Sequence, residues 1–316
     1  MINLLDAIDL WAKEQIRLMG YEPIEKDPLI QLFTLRIRNL EPIPRRICVS
    51  SELIQILPSL PTEIQNSYAV LKNAVEKGSA LRPYMSKSID DVTFFDGFLF
   101  DWGFYHFHLA TAPVINALGF IARSDFLLVA RVEDDIMYFV QILPHKDYML
   151  WYHEDLIRIF ANNWPDVAEQ NRIKFADSLT EMINEEQRKA YRDVIHANVP
   201  VDLGDGRVYW GANLGISGAG IPVIATLRAN EIKRNAFAMQ MVINEKWEAI
   251  VDVIKKKTDE VPEFQLVRIG PFDYTFQAVN IVLRLIWQEN NITIAVGDDE
   301  RQIEEYLQMD ASERTI

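Results

Sequence analysis

Two apolar segments rich in strand-forming residues, separated by three acidic residues, constrain this chain most. Residues 126–132 and 136–143 are dense in Val, Ile, Leu, Phe and Tyr, and Glu133-Asp134-Asp135 lies between them. Runs of that length joined by a short polar turn predict an antiparallel hairpin. Pro144 closes the second run, because proline lacks the N–H that a strand ladder needs.

Around the hairpin the pattern is mixed. Residues 4–19 place Leu4, Leu5, Ile8, Trp11, Ala12 and Ile16 close to one helical face. Residues 30–37 alternate, Leu32, Thr34 and Arg36 interleaving with Phe33, Leu35 and Ile37, which predicts a strand. Pro42 and Pro44 break the chain before a short extended piece at Ile47-Cys48-Val49. A helix is expected over residues 61–77, with Pro61 at its start and Gly78 just past its end. Residues 92–107 carry Phe94, Phe95, Phe98, Phe100, Trp102, Phe104, Tyr105 and Phe107, a density that suits a buried segment or a pocket wall. A further helix over residues 154–162 is closed by Trp164-Pro165.

The second half reads as a helix over 178–195, a loop over 198–206 and a short strand over 207–210. A glycine-rich turn over 211–220 leads to a long helix over 223–257, interrupted near Asn230. Strands over 264–269 and 292–296 and an acidic helix over 298–307 complete it. The class predicted is α+β. It comprises a small antiparallel sheet with flanking helices in the central part and a mixed helical and strand C-terminal domain. The corresponding division is an N-terminal segment (1–80), a central catalytic region (81–165) and a C-terminal accessory domain (166–316).

Composition narrows the function classes. No apolar run reaches the roughly 18 residues of a membrane span; the best, residues 279–287, contains Arg284. The start, Met1-Ile2-Asn3-Leu4, lacks the basic and apolar regions of a secretory leader, and the single cysteine, Cys48, excludes an internal disulfide. A cytoplasmic protein is expected, with no membrane association. Lys plus Arg is 32 against 46 Asp plus Glu, a net charge of −14. Such a chain repels polyanions except at a local basic patch. The densest is Arg36, Arg38, Arg45 and Arg46, while Lys255-Lys256-Lys257 reads as cations complementing a helix C-terminus.

One region carries chemistry. Of five histidines, His106, His108, His145 and His153 fall within residues 106–153. On an extended strand His106 and His108 share a face, and His145 follows the hairpin's second strand. Arg123, Lys146 and Tyr148 are near in sequence. Imidazoles with a cation suit metal-independent RNA cleavage, in which one takes the 2′-hydroxyl proton, another protonates the leaving oxygen, and Arg or Lys holds the phosphate. The same residues with Asp101 or Asp125 would also make a zinc or iron set. Packed histidines in an acidic binding or regulatory protein are the third reading.

The stretch over residues 127–147, with Val132-Glu133-Asp134-Asp135 between its strands and His145 after the second, resembles the terminal hairpin of RelE-type toxins. His108-Leu109 resembles the histidine-leucine element upstream of the sheet in that barnase/RelE-like ribonuclease class. The resemblance covers about 50 residues. It implies a metal-free ribonuclease needing no cofactor, with RNA as partner and a toxin-like or phage-defence role under an inhibitory or regulatory protein. It makes His145 with Arg123 or Arg131 catalytic or phosphate-binding, and His106 and His108 their partners. The Asp101-Trp102-Gly103-x-x-His106-x-His108-Leu109 pattern, followed by Arg123-Ser124-Asp125 and Asn163-Trp164-Pro165, is also similar to a group of bacterial proteins to which no activity attaches.

Other motifs carry less. Residues 211–220 hold four glycines but lack the Lys-Ser/Thr of a P-loop and the dinucleotide spacing, and so read as a flexible turn. Ala219 stands where a nucleophile elbow around Ser217 needs glycine. Cys48 reads as packed, and His196 as a cap or surface residue.

Overall fold

The hairpin forms and sits at the centre of a four-stranded sheet. In chain order the strands are β1 (Arg46–Val49), β2 (Phe104–Ile115), β3 (Ile121–Glu133), β4 (Ile136–Pro144), β5 (Val201–Asp202), β6 (Val208–Tyr209), β7 (Gln265–Ile269), β8 (Asp273–Ala278), β9 (Ile281–Gln288), β10 (Asn291–Gly297) and β11 (Ile303–Asp310). The helices are α1 (Leu4–Leu18), α2 (Pro28–Arg38), α3 (Ser51–Ile56), α4 (Thr62–Glu76), α5 (Gly97–Trp102), α6 (Asp155–Asn163), α7 (Pro165–Ala168), α8 (Glu185–Ile195), α9 (Val223–Glu245) and α10 (Trp247–Lys255). The structure is a computed structural model that describes residues 1–195, 198–270, 273–278, 281–288, 291–297 and 303–310. The chain is α+β, as its sequence pattern predicts. It divides into unit 1, residues 1–33 with 227–316, and unit 2, residues 34–226. The divisions expected at 80/81 and 165/166 both fall inside unit 2.

In unit 2 the strand order is β1-β4-β3-β2. The hairpin and β2 form an antiparallel meander, and β1 joins it parallel to β4, so the sheet is mixed rather than purely antiparallel. Side chains alternate across it. On one face Phe104, Val129, Tyr138 and Val140 pack with Phe98 and Trp102 of α5 and with Leu156, Ile157 and Phe160 of α6. The opposite face meets α4, where the Tyr68 ring stands edge-on to Phe139 at 5.7 Å and the Ser67 hydroxyl accepts from the Ala110 N–H at 2.6 Å. Cys48, half-buried in β1, packs against the first cluster.

Unit 1 holds a five-stranded antiparallel meander, β11-β10-β9-β8-β7. The Gln240 side chain accepts from the Leu4 N–H and donates to the Ile2 carbonyl. Lys233 pairs with Asp27 at 2.6 Å, and Trp11 donates to the Val267 carbonyl on the edge strand. Among the described residues no helix is long and apolar enough to cross a membrane.

Several expected elements differ. Residues 30–37 are helical, not extended. Asp27 caps the start by accepting from the Ile30 N–H, Pro28 opens the first turn, and buried Leu29, Leu32 and Leu35 lie on successive turns. The helix expected over 178–195 begins only at Glu185. The long helix breaks at Lys246, between α9 and α10, and not near Asn230. The loop over 198–206 contains β5. Of the acidic helix expected over 298–307, residues 298–302 lie outside the described residues and the rest is β11, whose backbone pairs with β10. Its acidic composition yields to a neighbouring edge that needs a partner. The reading of His196 also lies outside the described residues.

Candidate active site

His106 and His108 sit on one face of β2, two residues apart, opposite Val129 and Leu127 of β3. His145 follows β4 and is held by its N–H donating to the Asp125 carbonyl at 2.8 Å. The three imidazoles form a chain, with ring centroids 6.0 Å apart from His106 to His108 and 5.4 Å from His108 to His145. They share a cavity of about 500 Å³ with Arg123 of β3. Phe94, Phe95, Phe98, Trp151 and Tyr152 supply its aromatic wall, and Asp96, Arg192 and Asp193 line it too. The aromatic segment thus divides, since Phe100, Trp102, Phe104 and Phe107 are core residues.

Burial sets the protonation. It holds His106 below the ordinary histidine range against the opposing pull of Asp96, while His145 and Arg123 push the same way as burial. His108, 4% exposed, is lowered to about 3 by burial and then by Arg123, His106 and His145. Both are neutral at pH 7 and offer a lone pair. His145 is exposed at the cavity. Arg123 donates one N–H to the Met85 carbonyl at 2.9 Å, and its Nε is buried without a hydrogen bond among the described residues.

The other sequence candidates lie apart. Lys146 pairs with Asp125 at 2.6 Å on the surface, its side chain 78% exposed, so neither joins the imidazoles. Asp101 is buried against Arg192, and Arg131 is bound to Glu133 and Asn171. Tyr148 projects to solvent. His153 is gripped between Asp147 at 2.7 Å and Glu185 at 2.8 Å. Among the described residues no three His, Cys, Asp or Glu side chains are grouped to hold a metal ion. Of the early arginines, Arg38 donates to the carbonyls of Ser88, Ile89 and Asp91, and Arg45 to those of Glu41, Ile43 and Asp134. Those two are structural clamps, buried and spent on backbone carbonyls.

Sequence spacing gives no sign of Asp96, Trp151, Tyr152, Arg192 or Asp193, which reach the cavity from three separate elements. Nor does it reveal what the glycine-rich segment does. The Gly215 and Asn213 N–H groups donate to the Phe100 and Asp101 carbonyls, and the Asn213 side chain donates to that of Leu99. The loop therefore caps α5, satisfying carbonyls that a helix end leaves open, and is not a free turn. It approaches so closely that a Cβ on Gly211 would lie 2.3 Å from the Asp101 carbonyl oxygen. Gly211→Ala is expected to lose about 1–3 kcal/mol in urea denaturation; an unchanged midpoint would mean that the loop does not brace α5.

No protein-family model matches the chain, and neither a curated protein nor a solved structure matches it.

Proposed function

We propose that the cavity of unit 2 is the active site of a metal-independent endoribonuclease that admits one splayed-out nucleotide at a time. The observation that carries this reading is the convergence of three imidazoles and Arg123 on one aromatic-walled cavity. RNA cleavage by its own 2′-hydroxyl asks for little more. A neutral imidazole takes the 2′-hydroxyl proton as the oxygen attacks phosphorus. The bond from phosphorus to the 5′-oxygen breaks, and that oxygen takes a proton from a second imidazole, leaving a 2′,3′-cyclic phosphate. Buried, neutral His106 and His108 are suited to the first task, so the second falls to His145 at the solvent edge. Arg123 offsets the charge gathering on the phosphate.

The aromatic wall suits an unstacked base, the form in which single-stranded RNA is recognised. Gripping one nucleotide in a pocket also fits a chain of net charge −14, which would repel a long strand laid across its surface. The resemblance of β3 and β4 to RelE-type toxins points the same way, and a toxin-like or defence role held in check by a partner would follow from such an activity.

Single-stranded RNA incubated with the protein in chelator is expected to be cut to products with cyclic phosphate ends, and His145→Ala to be at least about 10²-fold slower. Intact RNA, or a His145→Ala protein as fast as wild type, would overturn the reading. Activity lost in chelator and restored by zinc or manganese would replace it with a metal-dependent hydrolase.

A further inference from the structure

We propose that Asp96 is a positioning residue that fixes the tautomer of His106, making His106 rather than His108 the imidazole that accepts the proton. The inference rests on the ribonuclease reading for its catalytic half. Its structural half stands on geometry alone.

Asp96 is the N-cap of α5. Its Oδ1 accepts from the Leu99 N–H at 3.0 Å, which pins the carboxylate and leaves Oδ2 facing β2. That oxygen lies 3.7 Å from His106 Nδ1, with the two side chains only 17% and 12% exposed. His106 Nδ1 is buried and makes no hydrogen bond among the described residues. On the ring's flank Trp151 packs with its centroid 4.8 Å away and limits rotation. Catalytic hydrogen bonds are commonly this long before substrate closes the site. A carboxylate can only accept, so a hydrogen bond closing this 3.7 Å gap puts the proton on Nδ1 and the lone pair on Nε2.

Among the described residues no carboxylate pairs with His108. Its charged and titratable neighbours are Arg123, His106 and His145, and each of them opposes protonation. Facing His106, by contrast, Asp96 favours the charged ring. A proton taken up during reaction is therefore offset by Asp96 at His106 and left uncompensated, among like-signed neighbours, at His108. The neutral ring of His108 is left to donate or accept a hydrogen bond beside the phosphate.

Asp96→Asn separates this from a merely structural role. Asparagine keeps an oxygen for the α5 cap, but its amide then donates toward His106 Nδ1, so the ring proton must move to Nε2. Protein labelled with nitrogen-15 at histidine, with the His106 signals assigned by their loss in His106→Gln, is expected to show Nδ1–H in wild type and Nε2–H in Asp96→Asn. RNA cleavage by the variant is expected to fall at least about 10²-fold, in kcat more than in KM. The same tautomer in both proteins, or Nε2–H in wild type, would overturn the proposal even if RNA is cut. A tautomer that flips in a protein that leaves RNA intact would uphold the Asp96 lock and overturn the ribonuclease reading.

Discussion

Asp101→Ala is expected to lower stability by about 3–5 kcal/mol, because it strands a buried guanidinium. Asp101 in α5 is 4% exposed and Arg192 in α8 is 9% exposed. Arg192 Nε donates to Asp101 Oδ2 at 2.7 Å, while its Nη1 donates to the Trp151 carbonyl. The guanidinium also lies over the rings of Trp102 and Tyr152, 4.8 and 5.0 Å from their centroids. Without Asp101 this buried charge is left with a carbonyl dipole, two aromatic rings and the pull of Asp193. Urea denaturation of Asp101→Ala, Arg192→Ala and the double variant would measure the pair. The double variant should cost less than the two singles together by about 0.5–3 kcal/mol, since the second change removes the stranded partner. An Asp101→Ala protein within 1 kcal/mol of wild type would show that the pair is not the clamp described here. The clamp also reaches the site, because Trp151 and Arg192 both line the histidine cavity. Loss of Asp101 should therefore slow the proposed RNA cleavage without touching an imidazole.

What could be read in advance depended on how local its cause was. The β3–β4 hairpin is written in adjacent residues, two apolar runs around Glu133-Asp134-Asp135, and α4 is bracketed by Pro61 and Gly78. In α2 two signals competed. Alternation over residues 30–37 matched a strand, while Asp27-Pro28 ahead of it marked a helix start, and the burial of Leu29, Leu32 and Leu35 favoured the helix. β8 and β9 went unread because each exists through its sheet neighbours, as does β11. The site divides in the same way. His106 and His108 are legible through a two-residue strand period and His145 through its place after β4. Asp96 is visible in the sequence only as one more acid, and its meaning lies in a distance to His106 that β2 and α5 together create. Arg192 and Asp193 come from α8, some 85 residues beyond His106, at a separation no local pattern encodes.

Acidification from pH 6.5 to 4 is expected to destabilise the wild-type protein by about 3 kcal/mol more than a His108→Gln variant. His108 is 4% exposed, and burial together with Arg123, His106 and His145 lowers its pKa from 6.5 to about 3. Between those values the unfolded chain binds the proton and the folded chain does not. Stability from this group is complete above pH 6.5 and falls by about 1.4 kcal/mol per pH unit below it. Other groups slope the opposite way. Asp101 is raised by burial against the pull of Arg192, so its contribution is present below the ordinary carboxyl range and lost as pH rises through the raised value. For His153 burial opposes the charge, but Asp147 and Glu185 outweigh it and raise the pKa, so its stability is present below 6.5 and lost above. Both groups are common to the two proteins and cancel in the difference, as does any fixed cost of the substitution. Urea midpoints at half-unit steps would draw the two curves. Parallel curves would mean that His108 binds a proton in the fold as readily as in the unfolded chain. A cation would then stand 6.0 Å from His106 near neutrality, and the pair of neutral imidazoles on which the proposed ribonuclease chemistry depends would not exist.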